Sequence, residues 1–187
     1  MNTKFEEKPD TNLQFDTVIK KVRELFVKKN SDYGSTTWLM MRTKTLTDQL
    51  FIKAQRIRTI SEGTQKVKDT TEDELIGIIN YSVMGLIKIH HSDINIKTKS
   101  EVIFVTYDEE IQKTKELMFA KNHDYGEAWR EMRIESICDL ILIKILRTKM
   151  IEDNGGKTIA SEGVDANYRD MINYAIFALI LMEEKKI

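Results

Sequence analysis

The chain has 187 residues, with 29 basic and 30 acidic side chains, one proline, eight glycines and one cysteine. A composition 41% hydrophobic and 32% charged excludes a disordered chain. The lone Cys138 excludes a disulfide framework and a cysteine-rich zinc site. A formal net charge of -1 gives no reason to expect the basic stripe that grips a phosphate backbone, and a single proline points to helices.

Residues 1–10 form a polar tail without the apolar core of a signal peptide. The longest apolar run, Ala175 to Met182, is far short of the ~20 residues that cross a bilayer. No membrane partner is expected, and the lone thiol fits a reducing cytoplasm.

Residues 11–91 read as three helices. The first, about Asn12 to Asn30, spaces Phe15, Val18, Ile19, Val22, Leu25 and Phe26 on one face. The second runs from about Thr45 to Ile60, with Asp48 placed as a capping residue. The third starts near Thr71, with Glu74 completing a capping box, and ends near His90. His90-His91 reads as an exposed helix end without the carboxylate or cysteine company of a metal site. Residues 92–105 read as a linker, polar over Ser92 to Ser100 and β-prone over Glu101 to Val105. Residues 106–187 repeat the pattern: a helix over about Tyr107 to Asn122 opened by a Thr106/Glu109 capping box, one over Ser136 to Glu152 with Asp139 as a capping residue, and one over Asp165 to Glu184.

The repetition is one of sequence as well as of pattern. Lys29-Asn-Ser-Asp-Tyr-Gly34 recurs as Lys121-Asn-His-Asp-Tyr-Gly126. Trp38, Met41, Arg42, Asp48, Lys53 and Arg56 then match Trp129, Met132, Arg133, Asp139, Lys144 and Arg147. Asn80-Tyr81 matches Asn173-Tyr174, and Glu24-Leu25 matches Glu116-Leu117. Ordered matches with small gaps define a duplication. A three-helix unit buries little core alone, and Met171 to Met182 is apolar on nearly every face, so it must be covered all round. The expected fold is all-α, a tandem duplication of a three-helix unit packed as a pseudo-two-fold helical bundle.

Charged residues inside apolar stretches mark where chemistry would sit. Lys144 and Arg147 interrupt an apolar helix, and Lys144 shares the inward face of Ile137 and Leu140. Asp170, Asn173, Tyr174 and Phe177 fall at helical spacing, with Glu162 and Asp165 just before them. One reading is a buried ion pair between Asp170 and Lys144 or Arg147 that fixes helix register, and spacing alone favours it. The other is an acidic cluster holding Mg²⁺ beside cations that hold phosphate. In the Lys121–Gly126 loop, a helix end and tight turn account for Asn122 and Gly126. They do not account for Lys121, Asp124, Tyr125 or the following Trp129, which suit a base-stacking, phosphate-facing pocket. His123 is replaced by Ser31 in the other copy and reads as incidental.

The Lys121–Gly126 loop, followed by Trp129, Arg133, Lys144, Arg147 and the stretch from Glu162 to Tyr174, resembles the nucleotide modification associated domain 1 family. Both copies carry the resemblance, which implies an association with nucleotide metabolism. The layout is more distantly similar to all-α NTP pyrophosphatases, helical Mg²⁺-dependent enzymes with a Glu-x-x-Glu facing a Glu-x-x-Asp. Here Glu116 has no matching Glu three residues away, and Glu162-x-x-Asp165 falls at a helix start.

The leading expectation is a nucleotide-handling protein, in its sharpest form a Mg²⁺-dependent nucleoside-triphosphate pyrophosphohydrolase. Asp124, Asp170 and Lys144 are the candidate catalytic residues. Lys121, Asn122, Tyr125, Trp129, Arg133, Arg147 and Asn173 would bind the nucleotide, and Glu116, Glu162, Asp165 and Asp170 the metal. The rival expectation is a non-catalytic nucleotide-binding or interaction module; oligomeric state, a homo-oligomer included, is left open. The first copy keeps Asp69, Glu72 and Asp73 near its third helix but has Gly77 where the second has Asp170. It therefore reads as degenerate, short of a metal ligand or a counter-ion, and the site is expected in the second copy.

Overall fold

The computed structural model describes residues 10–186; the tail expected over 1–10 lies, apart from Asp10, outside them. The helices are α1 (Thr11–Tyr33), α2 (Thr36–Leu39), α3 (Thr43–Ser61), α4 (Thr71–His90), α5 (Ser100–Tyr125), α6 (Ile134–Asp153) and α7 (Val164–Glu184), with a 3₁₀ turn over Ala128–Glu131. The described residues contain no strand. In each copy three long helices carry the fold, and the short α2 or the 3₁₀ turn holds Trp38 or Trp129.

The two copies pack reciprocally, as a pseudo-two-fold axis requires. The central helices α4 and α7 lie against each other; α4 also touches α3, α5 and α1, while α7 touches α6, α1 and α5. Two flanking pairs, α3 with α6 and α1 with α5, complete the bundle. From Met171 to Leu181 every residue of α7 but Tyr174 is buried, which is why its apolar residues occupy all faces. At Gly85 the helices α4 and α7 come so close that an added Cβ would stand 2.6 Å from the Tyr168 ring.

Caps set the helix limits. The Asp10 side chain accepts from the Asn12 and Leu13 amides, and α1 and α5 both stop at glycines in positive φ, Gly34 at 67° and Gly126 at 61°. Several limits differ from those read in the sequence. The capping box of α4 is Thr70 with Asp73, one residue earlier than expected, which frees Glu74 to turn inward. Helix α5 starts at Ser100, so 100–105 is helix and not linker, and Thr106 hydrogen-bonds back to the Val102 carbonyl instead of capping. Asp48 and Asp139 are not caps, because α3 and α6 begin at Thr43 and Ile134. Asp48 instead pairs with Lys149 across the α3–α6 contact, at 2.7 Å, and Lys44 pairs with Asp153 at the same distance. Beneath them the Thr47 hydroxyl meets Tyr168 Oη at 2.7 Å and donates to Glu152.

Candidate functional site

The same chemistry occurs in each copy: a carboxylate on the third helix buried between cations. In the second copy Asp170, 5% exposed, accepts from Lys121 Nζ of α5 and forms an ion pair with Lys144 Nζ of α6, both at 2.6 Å. Burial works against the Lys121 charge, but the hydrogen bond and charge of Asp170 outweigh it and raise its pKa. In the first copy the carboxylate is Glu74, 2% exposed, held by Lys53 and Arg56 at 3.1 Å; Arg56 also pairs with Asp69. The first copy has therefore not lost its counter-ion. The acid has moved one helical turn earlier, and Gly77 and Asn167 occupy the vacated places.

The two copies differ around their tryptophans as well. In the second, Trp129 stacks on Phe177 with ring centres 4.3 Å apart and planes 2° from parallel, while the Arg130 guanidinium lies over the same indole at 4.3 Å. Arg130 is itself held by Glu127, Glu184, Thr11 and Gln14. In the first copy the counterparts of Phe177 and Asp170 are Met84 and Gly77, and a cleft of about 380 Å³ opens there. Lys29, Tyr33, Trp38, Lys53, Gly77, Tyr81 and Met84 are among its walls. Lys29, the counterpart of Lys121, makes no ion pair among the described residues. Lys53 reaches across to Glu74 with its ammonium 5.9 Å from the Tyr81 ring centre. Trp38 is 5% exposed, and its indole N–H has no partner among the described residues. A cleft with aromatic walls and two lysines accommodates a planar ring joined to an anion.

The second-copy residues singled out in the sequence are dispersed around this plan. Asp170, Lys144 and Lys121 do meet. Asp124 is exposed and, among the described residues, has His123 as its polar contact, at 3.3 Å, and Tyr125 is 71% exposed. Asn122 donates to Met118 Sδ at 2.9 Å. Asn173 is buried and donates to the Thr114 carbonyl, as Asn80 does to the Val22 carbonyl; both tie a third helix to a first helix. Arg133 is exposed at the start of α6. Arg147, expected inward, is exposed on the wall of a shallow depression of about 560 Å³ that also includes Lys144 and Glu162.

The four expected metal ligands are not gathered at one place among the described residues. Glu116 is exposed and accepts from Gln112, Asp165 lies 3.4 Å from His90, Glu162 is exposed, and Asp170 is taken by two lysines. Among the described residues no three His, Cys, Asp or Glu side chains are grouped to hold a metal ion. His90 and His91 do have a carboxylate, contrary to the sequence reading: both lie within 3.3 Å of the buried Glu110. That carboxylate also pairs with Lys113 and Arg169. Its burial pushes the pKa up, but hydrogen bonds from Lys113 and His91 and the Arg169 charge hold it at about 2.

None of the site residues expected from the sequence lies on the first-copy wall. The signal was present, since Lys29, Tyr33, Trp38 and Tyr81 are the repeat partners of Lys121, Tyr125, Trp129 and Tyr174. Gly77 removes the carboxylate, and the Lys53 side chain lies over it in the cleft wall.

Fold and site together define a duplicated all-α bundle with one repeat open and one closed. Residues 29–89 and 121–182 match the family described as nucleotide modification associated domain 1, and the chain belongs to that family in tandem form. No curated protein and no solved structure matches it.

Proposed function

We propose that the chain is a nucleotide-binding module whose site is the open cleft of the first repeat. The observation that carries this reading is the cleft itself: Trp38, Tyr33 and Tyr81 beside the unpaired Lys29 and the half-buried Lys53. The aromatic walls supply faces for a base, and the lysines supply charge for phosphate. The family's association with nucleotides agrees with it. The dispersal of Glu116, Glu162 and Asp165 and the neutralisation of Asp170 favour binding over metal-assisted hydrolysis.

A nucleotide panel read by thermal unfolding and by pyrophosphate release tests this directly. Nucleotide at a hundredfold excess over its Kd should stabilise the fold by about 2.7 kcal/mol, with no pyrophosphate released when Mg²⁺ is added. Mg²⁺-dependent release abolished by Asp170→Ala would replace the module with the pyrophosphohydrolase. No stabilisation by any nucleotide would reject both.

A further inference from the structure

We propose that the second repeat displays, in its own side chains, the pattern of the ligand that the first repeat takes. That pattern is a planar ring and an anionic group about 10 Å apart, the outline of a nucleoside di- or triphosphate. The inference rests on the nucleotide-binding reading and narrows it.

The closed repeat shows two occupied places. The Phe177 ring covers the Trp129 face at 4.3 Å, and the Asp170 carboxylate sits between Lys121 and Lys144 at 2.6 Å from each. Both occupants come from α7, seven residues apart, so a rise of about 1.5 Å per residue separates them by roughly 10 Å along the axis. The open repeat keeps the receiving groups, Trp38, Lys29 and Lys53, and lacks just the two occupants. Met84 replaces the ring and Gly77 the acid, and both line the cleft.

The anion place in the open repeat is held by a cation. A Cβ added to Gly77 would stand 2.7 Å from Lys53 Nζ. An anion entering beside α4 therefore meets Lys53 at once, with Lys29 on the same cleft wall. Glu74 balances Lys53 from one turn away and gives up part of that pairing when phosphate arrives. With a base on Trp38, a sugar and one phosphate fall short of the lysines, whereas a second or third phosphate reaches them.

Calorimetric titration of the full chain in Mg²⁺-free buffer, with a nucleoside and its mono-, di- and triphosphate, reads the span. Affinity should rise at least about tenfold from mono- to di- or triphosphate, as one added charge-assisted hydrogen bond gives. Lys29→Ala, at an exposed position, should erase that rise without moving the melting temperature. The double variant Gly77→Asp/Met84→Phe should fill both places from within. It is expected to bind the triphosphate at least about tenfold more weakly while keeping the helical circular dichroism of wild type, Lys53 moving aside for the new side chain. Equal affinity for mono- and triphosphate, or a folded double variant that binds as wild type does, would overturn the proposed span and leave nucleotide binding standing. Absence of binding by the whole series would overturn the nucleotide-binding reading itself. Should the double variant not fold, Lys29→Ala decides.

Discussion

Each repeat buries one carboxylate on its third helix, Glu74 in α4 and Asp170 in α7, and removing either leaves cations in a place built to neutralise them. Asp170→Ala should destabilise the fold by about 3 kcal/mol in urea, because an uncompensated buried charge costs more than the pair was worth. A change under about 1 kcal/mol would mean that both lysines swing freely to solvent. A second residue-scale asymmetry concerns the paired asparagines. Asn80 Oδ1 accepts from Tyr107 Oη at 2.9 Å, but Asn173 Oδ1 is buried with no partner among the described residues. The repeat counterpart of Tyr107 is the fully buried Phe15, which has no hydroxyl to give. Phe15→Tyr should therefore raise stability by about 1 kcal/mol through the missing hydrogen bond; a lower urea midpoint would show that the ring has no room for the oxygen. At this scale the sequence made Asp170 and Lys144 legible as partners, since apolar neighbours at i−4 and i−7 turn Lys144 inward. It did not reveal that Glu74 replaces Asp170, because a Glu three residues after Thr71 satisfies a capping pattern equally well.

Helix α5 shows how local signals mislead at the scale of an element. Thr106 and Glu109 have the spacing of a capping box, yet the helix has already run from Ser100, and β-prone Ile103 is buried on its inner face. Tertiary burial overrides local propensity there. The same helix carries Glu110 into contact with His90 and His91 at the end of α4 and with Arg169 of α7. One carboxylate on α5 thus joins the end of the first copy to α7 of the second. Because its folded pKa is held down at about 2, below the ordinary 4.5 of a glutamate, its stabilisation is complete above the ordinary carboxylate range. It is lost as pH falls from there through about 2. Melting temperature followed from pH 5 downward should fall more steeply for wild type than for Glu110→Gln. At neutral pH that variant should be less stable by about 2 kcal/mol, less than a fully buried pair because Lys113 is half exposed. Parallel pH profiles for the two proteins would contradict this role.

The bundle as a whole was legible because duplication is visible without any structure, and two identical patterns that cannot fold alone have to cover each other. What the sequence hid was how far the two halves have diverged at their contact. Gly85 of α4 faces Tyr168 of α7, and the corresponding positions in the reversed sense are Ala178 and Leu75. Two second halves would set Ala178 against Tyr168, where the close approach has room for glycine alone. They would also bring Glu135, the counterpart of Lys44, toward Asp153. Residues 100–186 expressed alone should therefore fail to form a folded homodimer, while mixing them with residues 10–90 should restore helical circular dichroism; a stable homodimer of residues 100–186 would contradict the complementarity. The complementarity, however, is indifferent to which chain supplies each half. Only nine residues, 91–99, tie α4 to α5, and if that connection straightens, two molecules can trade halves and rebuild two intact bundles. Refolding at high protein concentration should thus yield domain-swapped dimers, each containing two complete clefts.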